Sequence, residues 1–353
     1  MTTAQSVPGA SAPTPPPSTI DARSIRRELA RYTDPDVRRS LTEIALSALP
    51  FVALWAAMWL ALTSVGYGLT LLLALPAAGF LVRLFLIQHD CGHGSVFRRQ
   101  SLNDWLGRVL GVFTLTPYDH WRRTHALHHA GAGNLDRRGI GDVATLTVRE
   151  YRNLSLRGRI QYRIYRHPLI LFGLGPFFVF LLHHRLPIGF MRGGLMHWLS
   201  TMGTNLAILA AVAGVTWAIG IGPFLMIHLP IVLLASAAGV WLFYVQHQFE
   251  HTHWDGDADW THPEAALHGS SHYALPAVLR WFAANVGIHH VHHLSSRIPH
   301  YRLPEVLRDL PELRHTNRLT LRESLACVRL TLWDEELRRL VPFRAAHADG
   351  ARA

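Results

Sequence analysis

The sequence predicts an all-α integral membrane protein, with four transmembrane helices in two hairpins and a helical cap on the cytoplasmic face. Three observations carry this reading. Hydrophobic residues make up 49% of the 353-residue chain and charged residues only 16%, where about a quarter is usual in soluble proteins. Four long runs are almost free of charge. Histidine occurs 24 times, and its densest clusters lie close to long apolar segments. The net charge is +10 and no lysine occurs, so the fixed positive charge is all arginine. A basic chain can bind nucleic acid. Here the arginines crowd beside the apolar runs, where the positive-inside rule and anionic lipid headgroups account for them, and no nucleic-acid partner is expected. Cys91 and Cys327 are the only cysteines, too few for a disulfide framework, and they fit a reduced, cytoplasm-facing site.

Taken in order, residues 1–20 are uncharged and rich in Pro, Ser, Thr and Ala, which predicts a disordered tail. Residues 21–43 carry Arg23, Arg26, Arg27, Arg31, Arg38 and Arg39 and read as a helical juxtamembrane segment. The first span, about 44–65, holds no charge and is long enough to cross a ~30 Å hydrocarbon core. The second, about 69–88, follows the short linker Gly66-Tyr67-Gly68 and contains Arg83 near its end, which must snorkel or face protein. Residues 94–166 are polar and arginine-rich, hence cytoplasmic. The run 168–184 is apolar but short and interrupted by Gly173, Gly175 and Pro176, which fits a re-entrant or interfacial segment. Spans at about 198–219 and 224–246 form the second hairpin through the uncharged turn Gly220-Ile221-Gly222-Pro223. Residues 248–303 are polar and histidine-rich. Leucines at helical spacing over 304–343 predict one or two amphipathic helices, and residues 346–353 a short C-terminal tail.

The chemistry lies in three histidine clusters. His89 and His93 are four apart, which places both on one helix face. His125 reaches His128 and His129 at the same kind of spacing, and so does His289 to His292 and His293. His290 breaks the pattern. A single metal cannot use eight imidazoles, so the spacing predicts two metals, and one further ligand is needed. His247, where the fourth span ends, is the choice, with His251 one turn on as its rival. Asp90, Glu250, His251 and His290, together with Asp119 and Asp142, are candidates for orienting the ligand rings from behind. His167, His183, His184, His197, His228, His262, His268, His272 and His300 read as ordinary core or headgroup histidines. No His-Glu-x-x-His or Cys-x-x-Cys zinc pattern exists. The three clusters contain no glutamate, unlike the Glu and Glu-x-x-His ligand set of soluble di-iron bundles. An all-imidazole pair still suits iron and oxygen chemistry. A metal transporter would carry ionisable residues along its spans; only Arg83 and His228 lie there.

With these residues in hand the chain resembles the membrane fatty acid desaturases. HDCGHGSVF, WRRTHALHH followed by AGAGNLDRRGIGDV, and GIHHVHHLSSRIPHY match that family's three boxes in order, spacing and flanks, and FYVQHQFEHTHW resembles its extra-histidine segment. The first box, with three residues between its histidines, resembles the acyl-lipid, Δ12/ω-6-like branch. The resemblance implies a single membrane desaturase domain over residues 21–345 and two non-haem irons. It carries the ligands over to His89, His93, His125, His128, His129, His289, His292 and His293, with His247 ninth. One departure is Phe243, where the acyl-CoA branch has an asparagine that supports a metal-bound water. The implied reaction is O₂-dependent insertion of a double bond into an acyl chain. Its partners are a fatty acyl lipid, O₂, membrane lipid and an external electron donor of ferredoxin, rubredoxin or cytochrome type. Arg122, Arg123, Arg137 and Arg138 are candidates for holding the substrate headgroup. The implied location is a bacterial inner membrane, active site toward the cytoplasm. The alternative is a related di-iron hydroxylase or oxygenase acting on an alkyl, sterol or carotenoid substrate.

Overall fold

The computed structural model of the chain describes residues 22–139 and 141–346. The tails expected over 1–20 and 346–353 lie outside these, apart from Ala346, which is buried in a cluster with Val148, Tyr151 and Leu332. The chain opens with α1 (Ala22–Leu29), then the first long hairpin, α2 (Val37–Ser64) and α3 (Tyr67–His93). Two helices of the cap follow, α4 (Gln100–Phe113) and α5 (Tyr118–Gly131). A short strand, β1 (Leu146–Thr147), leads into α6 (Val148–Asn153) and α7 (Leu156–Tyr165). The apolar run after Pro168 makes a π-helical turn over Ile170–Leu174 and then α8 (Gly175–Leu181), bent by 55° from α7. The second long hairpin is α9 (Leu195–Ile219) and α10 (Ile221–His247).

Among the described residues four helices, α2, α3, α9 and α10, are long and apolar enough to cross a membrane. Each is longer than the apolar run that predicts it, because the helix continues past the uncharged stretch. Asp36 starts α2 early: its side chain accepts from the Arg39 N–H at 3.0 Å and satisfies one of the free donors of the first turn. At its other end α3 runs on through His93 and stops at Gly94, whose φ of 70° is left-handed and whose N–H caps the Asp90 and Cys91 carbonyls. A Cβ at Gly94 would also meet the Gln100 side chain at 2.7 Å. Small residues on α3, Ala74, Ala77 and Ala78, are buried and let its backbone approach α2 and α10, as small residues do where helices meet in membranes. Met58 of α2 and Ile227 and Ile231 of α10 complete that core. By contrast α9 exposes Leu206, Leu209 and Trp217, a surface suited to lipid.

The remaining cap is α11 (His262–His268), β2 (His272–Ala274), α12 (Ala277–Phe282), α13 (His289–Leu294) and α14 (Leu303–Asp309). Where the leucine spacing predicts one or two amphipathic helices over 304–343, only α14 and the four-residue α15 (Leu321–Ser324) form; the rest is 3₁₀ turns and the strands β3 (Arg318–Thr320), β4 (Leu332–Asp334) and β5 (Arg339–Val341). Leu303, Val306, Leu310 and Leu313 do share one buried cluster with α13, but Pro311 ends the helical register. Further on, Trp333 and Leu340 are held by pairing: β4 lies parallel to β1 and antiparallel to β5. β2 and β3 form a second, parallel pair. The fold is thus predominantly helical, with two small sheets tying the C-terminal part of the chain to the cap.

Candidate metal centre

All nine imidazoles proposed from spacing and position come together, in two groups. His89, His93, His125, His129 and His292 form one; His128, His247, His289 and His293 form the other; within each, the ligand atoms lie within 4.8 Å of one another. The i,i+4 pairs 89/93, 125/129 and 289/293 each stay in one group, and the i+3 members His128 and His292 cross to the other. A residue three along points about 100° away from one four along, which separates the two faces of α5 and α13. The rings converge through Nε2. In the first group the Nε2 of His125 lies 3.1 Å from those of His93 and His129, and His292 lies 3.2 Å from His129. In the second, Nε2 of His247 is 3.2 Å from His128 and 3.0 Å from His289, which is 3.1 Å from His293. Nitrogens about 2.1 Å from a common centre and at right angles to each other lie about 3 Å apart, so these spacings fit a metal in each group.

The electrostatics agree with that use. Burial and the neighbouring rings hold the imidazoles of His125, His129, His289, His292 and His293 well below the ordinary histidine range. They are neutral, as a metal ligand must be. Behind the rings stand carboxylates. Asp142 Oδ1 is 2.5 Å from His128 Nδ1, and Asp90 Oδ1 is 3.4 Å from His89 Nδ1. Each fixes which nitrogen faces the centre.

Asp90 in turn belongs to a buried charge chain that spacing does not reveal. Its Oδ2 accepts from the His300 backbone N–H at 2.9 Å and lies 2.8 Å from His300 Nδ1. His300 Nε2 is 3.8 Å from Glu43. Glu43 pairs with Arg83, which also bonds Ser47 and the Trp281 carbonyl; Arg39 reaches Glu43 from outside at 2.7 Å. Burial alone would lower the His300 pKa, but the Asp90 and Glu43 carboxylates overcome this and raise it. His300 is therefore no ordinary core histidine, and Arg83 faces protein rather than the membrane surface. A signal was present: one acid and one base, Glu43 and Arg83, stand at the same end of adjacent hairpin helices, and opposite charges at that depth seek each other.

Other expectations are corrected. Glu250 and His251 are exposed, and Glu250 pairs with Arg339 at 2.9 Å, away from the rings. Because α10 ends at His247, the chain turns His251 outward. Asp119 is held by Arg108 at 3.0 Å. His290 is buried outside both groups, its Nε2 2.9 Å from the Leu313 carbonyl, and burial pushes its pKa down to about 3. The four headgroup arginines have internal uses. Arg122 bonds Asp104 and the Gly92 carbonyl, Arg137 pairs with Asp257, Arg138 grips Glu150, and Arg123 stacks on Phe190. Phe243 packs its ring 5.1 Å from His128 and 5.3 Å from His247 and offers no donor atom, so the second group has four imidazoles against five in the first.

A helical membrane protein whose cap gathers two groups of convergent imidazoles is the class these features define. A family model described as Fatty acid desaturase matches residues 54–324. The chain is 42% identical over 325 residues to a fatty acid desaturase of Bacillus subtilis (strain 168), covering 92% of this chain and 91% of that one. It is 29% identical over 235 residues to an sn-1 acyl-lipid omega-3 desaturase (ferredoxin) of Synechocystis, covering 62% and 61% of the two chains. To the sn-1 oleoyl-lipid 12-desaturase of Synechocystis it is 25% identical over 279 residues, covering 70% and 73%. The chain belongs to the fatty acid desaturase family and is an oxidoreductase of that family.

Proposed function

We propose that this chain inserts a double bond into an acyl chain carried by a membrane lipid, using two irons, O₂ and two electrons from an external donor. His89, His93, His125, His129 and His292 hold one iron, and His128, His247, His289 and His293 the other. Residues 21–345 act as one domain. The observation that carries the reading is the sharing of boxes two and three between both imidazole groups, which supports two metals side by side. When bound, the iron pair supplies the one-electron chemistry that unactivated C–H bonds and O₂ require. The balance is one O₂, two electrons, two protons and a –CH₂–CH₂– unit giving –CH=CH– and two waters. The protein contributes imidazole ligands, the carboxylates of Asp142 and Asp90 that orient them, and apolar helices that hold the acyl chain. Cys91 and Cys327 are both buried and stand far apart in sequence, so no cysteine set for an internal iron–sulfur carrier is in sight, and the electrons come from a separate protein. A ferredoxin-type donor is supported by the name of a Synechocystis relative. The arginine excess in the cap supports a cytoplasmic orientation in a bacterial inner membrane.

Expression in a host with simple membrane lipids, followed by fatty acid profiling and metal analysis, tests the proposal. New unsaturated chains, two irons per chain, and loss of both on His292→Ala are expected. Hydroxylated products without a new double bond, or zinc in place of iron, would overturn it.

A further inference from the structure

A cavity of about 400 Å³ opens in the cap beside the third histidine box. Arg280, Arg308, Arg314, Arg318, His272 and His315 line it, and among the described residues no carboxylate does. A larger cavity, of about 1350 Å³, differs in including Glu250 and Glu323. Within the basic cavity Arg308 is held by Asp309 at 2.9 Å and Arg314 by the Leu307 carbonyl at 2.6 Å. Among the described residues, Arg280 and Arg318 make no ion pair and are its free cations. Their field is felt inside: after burial, Arg318, Arg280 and His315 are what lower the His272 pKa. Such a concentration of one sign selects an anionic partner and speeds its arrival.

The wall of this cleft is bonded to the metal centre. Asn285, Gly287 and Ile288, its floor, run directly into α13. β2 is stitched to that segment: the Tyr273 N–H donates to the Gly287 carbonyl at 2.7 Å, and the His289 N–H donates to the Ser271 carbonyl at 3.2 Å. His272 lies 5.7 Å, ring to ring, from His290, the neighbour of His289. One hydrogen bond therefore separates the cleft wall from a residue of the second imidazole group. Electron transfer weakens steeply with distance and gaps, and this is a short, bonded path.

Resting on the desaturase reading above, we propose that this basic cleft docks a small acidic one-electron carrier protein, and that electrons enter the centre through β2 and the backbone of His289. The carrier gives up one electron per visit, and two visits supply the two electrons of each turnover.

The test uses the full-length iron-loaded protein in nanodiscs and a reduced acidic [2Fe–2S] ferredoxin as probe. Arg280→Glu/Arg318→Glu should weaken ferredoxin binding and slow ferredoxin-driven reduction by about tenfold or more. Added salt should weaken wild-type binding and leave the variant little changed. Iron content and reduction by dithionite should stay at wild-type level, and the exposed Arg149→Glu should behave as wild type. Wild type that shows no salt-sensitive ferredoxin binding overturns the proposal, as does a double variant within twofold of wild type. Loss of binding to phosphatidylglycerol vesicles, with ferredoxin reduction unchanged, overturns it too and marks the cleft as a lipid phosphate site. Failure of the desaturase reading looks different: dithionite then supports no double-bond formation in any variant.

Discussion

Replacing Glu43 by glutamine probes the buried charge chain behind the first imidazole group. The Glu43 and Arg83 side chains are 3% and 2% exposed, and Glu43 is also the anion for Arg39 and a neighbour of His300. The glutamine keeps the shape and removes the charge, leaving a buried guanidinium without its counter-ion. Breaking a buried pair from one side costs about 3–5 kcal/mol. Ser47 and the Trp281 carbonyl still accept from Arg83, which puts Glu43→Gln at the lower end, about 3 kcal/mol. For a chain of this size that is a melting temperature lower by roughly 6 °C, read by tryptophan fluorescence in detergent on metal-free protein. Removing both charges, with Glu43→Leu/Arg83→Leu, should recover most of the loss, because an apolar pair of similar volume replaces a buried ion pair at little cost. A single variant that melts within about 2 °C of wild type would refute the reasoning, and so would a double variant no better than the single.

Asp142→Asn removes the carboxylate behind His128 and should lower metal affinity about 10–100-fold, measured by iron retention against a chelator; full retention would show that Asp142 does not orient the ring. Gly107→Ala places a Cβ 2.2–2.7 Å from the buried Tyr118 ring and should cost about 1–3 kcal/mol by thermal melting, whereas Gly203→Ala, with nothing within 4 Å, should melt as wild type. The pH dependence has two opposed parts. His125, His129, His289, His292 and His293 have lowered folded pKa values, so their contribution is complete above the ordinary value of 6.5 and is lost as pH falls through those lower values. His300 has a raised value, so its contribution is full below 6.5 and is lost as pH rises through its folded pKa. Because the lowered groups outnumber the raised one, the metal-free protein should melt lower at about pH 5 than at about pH 7, and His300→Gln should flatten the alkaline decline; a higher melting temperature in acid would contradict this.

The spans were legible because a bilayer allows few solutions: an uncharged run of the right length must be a helix. The imidazole pairs were legible because i,i+4 spacing is local. What escaped the sequence depends on partners distant in the chain. β4 exists because residues 332–334 meet β1, far back at 146–147, and no periodicity within 304–343 carries that fact. Arg137 and Arg138 look free in a basic stretch until Asp257 and Glu150 are seen beside them. His300 looks ordinary until Asp90 is brought to 2.8 Å. His251 fails as a ligand for a local reason that spacing alone does not show: the helix that would carry it ends one turn too early.

The crossing of His128 and His292 between the groups makes the two halves of the centre one mechanical unit. α5 and α13 act as short helical plates, and each carries donor atoms for both groups. A tilt of either plate moves nitrogens on both sides together, so neither group can open, tighten or be vacated while its neighbour stays still. Filling one half therefore sets the geometry of the other. Metal uptake should follow a steep, all-or-none titration in which chains holding a single ion are scarce.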